Sequence, residues 1–146
     1  MNIQEMKAFA GDFLKQLASA SGTAPSGATV IGLRGDLGAG KTTFTQACAD
    51  LLGVSETVTS PTFVILKKYR LGENALNGKF SFLIHIDAYR LKNGGELNTI
   101  GWQDIVSNPK NLIMIEWPEL VADAMPKNIR YIDFKHVDEM TREIKI

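Results

Sequence analysis

Gly35, Asp36, Leu37, Gly38, Ala39, Gly40, Lys41 and Thr42 follow one another in the chain. They spell G-x-x-x-x-G-K-[ST], the P-loop pattern. Glycines let the backbone wrap a phosphate chain with its N–H groups pointing inward. A lysine at this position reaches the β/γ oxygens, and the following hydroxyl can ligate Mg²⁺. Four fixed positions coincide by accident in roughly one chain of this length in a few hundred. The flanks narrow the reading further. Residues 29–34, Thr-Val-Ile-Gly-Leu-Arg, read as a buried strand, and residues 43–52 read as a helix. Strand, Gly-rich turn and helix N-terminus make an anion site, because the helix end presents unpaired N–H groups and partial positive charge.

The length of 146 residues suits one domain, taken as 1–146, with room for a real core. A net charge of zero implies no broad attraction to nucleic acid or to an acidic membrane. The single cysteine, Cys48, excludes an internal disulfide and the usual cysteine-based zinc sites. Its place in the helix between Ala47 and Ala49 points to a small buried apolar role. No apolar run approaches a membrane span and no signal-peptide pattern opens the chain, so a cytoplasmic protein is expected.

Ile3, Met6, Phe9, Phe13, Leu14 and Leu17 recur at helical spacing, and Asn2 with Glu5 forms a capping-box pattern. A helix is expected over 3–19, its aromatics in the core. A loop follows over 21–27, and Gly53 is placed to close the P-loop helix. Residues 57–63 are short and strand-like, interrupted by Pro61. Strands are expected over 63–71 and 80–86, their spacing favouring an antiparallel hairpin. Residues 96–106 read as helix, 111–115 as a buried strand, and 118–124 as a short helix. Two strands, 129–137 and 142–146, close the chain. The fold class is therefore α/β: a single P-loop NTPase domain whose central mixed sheet is flanked by helices, with antiparallel strand additions.

A P-loop alone binds phosphate; using a nucleotide also needs carboxylates near the metal, commonly at strand ends. Asp87 and Glu116 are the two such acids. Either could hold Mg²⁺, directly or through water, or position an attacking water. A strand-end acid can also do no more than cap a turn. His85 shares a strand face with Asp87, and a lone strand histidine is more often structural than catalytic. Arg90 could neutralise phosphate charge or simply pair with Asp87. Ser60 and Thr62 flank Pro61 where NTPases can carry a loop that senses the γ-phosphate; an ordinary turn is the alternative.

Four segments now stand in order: residues 35–43, Ser60-Pro61-Thr62-Phe63, His85-Ile86-Asp87-Ala88-Tyr89-Arg90-Leu91 and Ile115-Glu116-Trp117-Pro118-Glu119. Over nearly the whole chain this resembles the bacterial TsaE (YjeE) family. The resemblance implies an ATPase required for threonylcarbamoyladenosine, a modified base beside the anticodon of tRNA. It implies TsaD and TsaB as partners, with tRNA met only through that complex, and a chain that is monomeric by itself. Lys41 matches the family's phosphate-binding lysine and Thr42 its magnesium ligand. Glu116 matches the acidic metal-site residue, Asp87 the acid of H-x-D-x-Y-R, and residues 60–63 the switch-like loop. Trp117 matches the characteristic tryptophan. Ala88 departs from the larger aliphatic residue of that pattern.

The site expected is therefore Lys41, Asp87 and Glu116 as catalytic groups, with Thr42 and Glu116 on the metal. ATP would lie against residues 35–43, Ser60, Thr62 and Asp87, with Thr43 closing the P-loop contacts. A small-molecule kinase on the same scaffold is the runner-up, and a non-catalytic nucleotide-gated adaptor the third reading. The chain has no Arg-rich insertion to serve as a kinase lid, and it keeps both acids, which disfavours a dead site.

Overall fold

The computed structural model describes residues 2–19, 27–36, 38–56, 58, 65–136 and 142–145. The expectations for Leu37, for the strand-like stretch at 57–63 and for the loop carrying Ser60 and Thr62 lie outside those residues.

The chain builds α1 (Ile3–Ser19), β1 (Thr29–Arg34), α2 (Lys41–Leu51), β2 (Leu66–Arg70), β3 (Phe82–Asp87), α3 (Trp102–Ser107), β4 (Asn111–Glu116), β5 (Arg130–His136) and β6 (Arg142–Lys145). Three 3₁₀ segments, Ala75–Gly78, Gly94–Ile100 and Pro118–Ala124, join them. The strands form one sheet in the order β2-β3-β4-β1-β5-β6. Its four central strands run parallel. The two edges, β2 and β6, are antiparallel additions, as expected for a mixed α/β sheet.

The central strands are buried on both faces because each face carries its own cover. Leu83, Leu112, Met114, Ile31, Leu33, Ile132 and Phe134 pack with α1 and α2. Ile84, Ile86, Ile113, Ile115 and Val30 pack with Leu97, Trp102 and Val121 on the opposite side. The alternation along β3 therefore hides no solvent face: Leu83 and His85 are as buried as Ile84 and Ile86.

Helix α1 starts with the capping box its sequence encodes. The Asn2 N–H donates to Glu5 Oε1 at 3.2 Å, and the Glu5 N–H donates to Asn2 Oδ1 at 2.8 Å. Its buried stripe runs Met6, Ala10, Phe13, Leu14 and Leu17. Ile3, counted on that stripe from its spacing, is exposed, because the cover begins one turn later. Helix α2 begins at Lys41, two residues before the predicted start. It closes at Gly53, with the Val54 N–H donating to Ala49 O at 3.1 Å.

One expected helix does not form as such. Residues 96–106 divide into the 3₁₀ segment Gly94–Ile100 and the six-residue α3. Gly101 sits between them at φ 79°, in the left-handed region that ends the first piece. The helical spacing there comes from two short pieces. Pro118–Ala124 is likewise 3₁₀ rather than α.

Candidate functional site

The parallel strands aim their carboxyl ends at one edge, and the P-loop leaves β1 there. Gly35 opens it at φ 145°, and a Cβ at that position would stand 2.4 Å from the Phe134 carbonyl oxygen. Only glycine lets the loop leave β1 so close to β5. Arg34, just before it, forks onto Asp133 of β5 through Nε at 2.6 Å and Nη2 at 3.0 Å. The loop then turns, with the Ala39 N–H donating to Asp36 O at 3.1 Å, and feeds α2. The first N–H groups of a helix lack intrahelical acceptors, so the α2 end presents donors toward the loop. Thr43 lies in that first turn.

Lys41 is buried, at 4% exposure. Its ammonium donates to Gly35 O and lies 3.7 Å from the centre of the Trp117 ring. Burial pushes its pKa below the ordinary lysine value, while Glu116, Glu119, Asp87 and Asp36 pull the other way.

The two strand-end acids come together through register. β3 and β4 pair so that Asp87 stands opposite Glu116, and His85 opposite Met114. Asp87, His85 and Glu116 thus share the face that carries α2. The Glu116 carboxylate is almost fully buried and takes two donors. Thr42 Oγ1 lies 3.1 Å from Oε2 and 3.4 Å from Oε1. His85 Nε2 lies 2.7 Å from Oε2. Asp87 Oδ1 accepts the Tyr89 N–H at 3.0 Å, so this acid does cap the turn after β3 while facing the site.

The residue after Glu116 is held in an unusual shape. Trp117 adopts φ 60° and ψ 47°, the left-handed region, with its N–H donating to Leu33 O at 3.3 Å. Its ring packs on Tyr89 at 5.2 Å between centroids and meets Lys41, so it links the ends of β3 and β4 to the P-loop lysine.

Thr42 and Glu116 are hard oxygen donors side by side at the helix start. That set fits Mg²⁺, which takes one or two protein oxygens and completes its shell with phosphate oxygens and water. Among the described residues, no cluster of three or more His, Cys, Asp or Glu is built as a metal cage. The structure brings Thr42 onto Glu116, places Lys41 within electrostatic reach of Glu116 and Asp87, and sets Asp87 opposite Glu116 in register.

A family model described as threonylcarbamoyl adenosine biosynthesis protein TsaE matches residues 2–144. The chain belongs to the TsaE family. A Bacillus subtilis relative named tRNA threonylcarbamoyladenosine biosynthesis protein TsaE is 36% identical over 115 residues, covering 79% of this chain and 66% of its own length. A Treponema pallidum relative of the same name is 36% identical over 118 residues, covering 81% of each. The crystal structure of Bacillus subtilis YdiB superposes with a TM-score of 0.68 at 30% identity, covering 99% of this chain and 78% of that one. TsaE membership and the shared architecture give this chain the nucleotide-binding P-loop fold. No helix among the described residues is long and apolar enough to cross a membrane.

Two more side chains reach the site. His85, expected to be structural more often than catalytic, bonds the Glu116 carboxylate, on the face that it shares with Asp87. Trp117, matched to the family's characteristic tryptophan, lies over the Lys41 ammonium.

Proposed function

We propose that this chain binds ATP·Mg²⁺ and hydrolyses it as the ATP-using component of threonylcarbamoyladenosine formation beside the tRNA anticodon, acting with TsaD and TsaB in the cytoplasm. The observation that carries this reading is the Thr42–Glu116 contact at 3.1 Å beside the P-loop lysine. It joins the P-loop hydroxyl to a strand-end acid, the pairing that metal-assisted phosphoryl transfer needs. The names of the relatives support the tRNA-modification role.

In this reading the glycine loop and the α2 N-terminus cradle the phosphates. Lys41 exchanges its Gly35 carbonyl contact for β/γ oxygens. Thr42 offers its oxygen to the metal while its proton points to Glu116. Glu116 supplies negative charge at the metal site, and Asp87, one strand away, positions water. Bound Mg²⁺ would neutralise charge on the phosphates as it shifts in the transition state.

Phosphate release decides the matter, measured for the chain alone, with TsaD and TsaB, and with small-molecule acceptors. Slow release by the isolated chain and faster release in the complex are expected, because partners commonly complete NTPase sites. Lys41→Ala should lower the rate by about a hundredfold or more. A Lys41→Ala variant that keeps the parent rate would overturn the site. A phosphorylated acceptor would make the chain a kinase, and nucleotide binding without turnover would make it an adaptor.

A further inference from the structure

His85 is the most completely buried titratable side chain at the site, at 0% exposure. It lies between β2 and β4, opposite Lys67 and Met114 in register. Its Nε2 meets Glu116 Oε2 at 2.7 Å. Its Nδ1 is buried with no hydrogen-bond partner among the described residues. Those two facts assign the proton. An N–H buried without an acceptor loses its hydration outright, whereas a contact of this length to a carboxylate oxygen needs a donor. The ring therefore carries its hydrogen on Nε2 and gives it to Glu116.

We propose that His85 is a positioning residue: it fixes the rotation of the Glu116 carboxylate, so that the acid meets Thr42 and the magnesium site in one orientation. This rests on the reading of Glu116 as a metal-site acid. Glu116 receives Thr42 from α2 on one side and His85 from β3 on the other, and both bond Oε2. Thr42 alone, within reach of both oxygens, does not choose between them. His85 does. A residue there for packing alone would be apolar, like Leu83 on the same strand face and Met114 opposite, and would bury no unpartnered ring nitrogen. Outer partners of metal ligands commonly set affinity in this way.

The test is equilibrium binding of a fluorescent, non-hydrolysable ATP analogue across a magnesium titration, with thermal melts to confirm folding. His85→Leu should raise the magnesium needed for half-saturation about tenfold, with magnesium-free binding unchanged. His85→Gln should restore the parent curve, because its amide nitrogen reaches the depth of Nε2. His85→Asn, whose amide reaches only the depth of Nδ1, should behave like His85→Leu. If His85→Leu does not fold, the Gln and Asn variants carry the comparison. Equal curves for those two, or parent-like curves for all folded variants, would overturn the inference while leaving the ATP reading intact. Parent binding that ignores magnesium would overturn both. Nitrogen-15 spectra give an independent check, since the chain holds two histidines and His136→Gln leaves one. An Nδ1–H tautomer at His85 would also overturn it.

Discussion

The two faces of the sheet are covered in different ways. On one, α1 and α2 run 17 and 11 residues. They close over a ring cluster in which Phe44 meets Phe9, Phe13 and Phe134 at 5.6–5.7 Å between centroids. On the other, the cover is pieced together from 3₁₀ turns and a six-residue helix. Polar ties add to its apolar packing. Gly94 N–H donates to Asp123 Oδ1 at 2.7 Å, and Trp102 Nε1–H donates to Ala124 O at 3.2 Å. Every side chain assigned to chemistry, from Lys41 and Thr42 to His85, Asp87 and Glu116, belongs to the first face or its rim. Helix α2 serves as packing and as phosphate cradle at once, so damage to the first core reaches the site directly. The second face closes the sheet and reaches the site through Trp117, which packs against its cluster and lies over Lys41.

The largest effect is expected where the two duties of α2 meet. Phe44→Ala should cost about 3–5 kcal/mol, because the ring is fully buried against three others. Denaturant unfolding measures it. Nucleotide binding should fall with it, since the residue is three places from Lys41. A Phe44→Ala variant that is destabilised yet binds nucleotide like the parent would separate core from cradle and break the comparison.

The two acids on the first face should fail differently. Asp87→Ala should leave analogue binding measurable and slow hydrolysis on the order of a hundredfold, as loss of a water-positioning group would. Glu116→Ala should raise the magnesium requirement by about tenfold, equivalent to about 1.4 kcal/mol. Rate against magnesium for each variant checks both. Exchanged phenotypes would swap the roles, and curves that overlay the parent would remove both residues from the site.

On the second face, Gly94→Ala should cost about 1–3 kcal/mol by overpacking. Its Cβ would stand 2.4 Å from that of Ala124 and 2.7 Å from Asp123 Oδ1. Thermal melts and analogue binding, measured together, sharpen the contrast. Stability should fall while magnesium dependence in the folded protein stays that of the parent. A shifted magnesium curve would mean that the second face also tunes the site.

The first face was largely legible in the sequence because its signals are local or strictly periodic. The P-loop is a fixed string, the α1 stripe repeats at helical spacing, and the acids follow apolar strands directly. The second face was not. Residues 96–106 read as one helix, but Gly101 divides them into two short pieces that bury Leu97 and Trp102 separately. What joins these pieces is long-range, such as the Trp102 tie to Ala124, and no window of sequence contains it. The same limit hid the role of His85. Its partner lies 31 residues away and is reached only through β3–β4 register.

The smallest effect tests how far a purely local signal carries. Asn2 and Glu5 satisfy each other's N–H groups at the start of α1, and all of the bonding is exposed. Asn2→Ala removes one acceptor and unpins the other, which should cost about 1 kcal/mol. The buried stripe begins only at Met6, so the first turn can fray without opening the core. Hydrogen exchange should therefore quicken in the first turn of α1, with β1, β4 and the Trp102 region keeping their protection. If protection falls evenly across both faces instead, α1 is not a separable layer. The two covers would then unfold as one unit, and the contrast between them would be one of architecture rather than of energy.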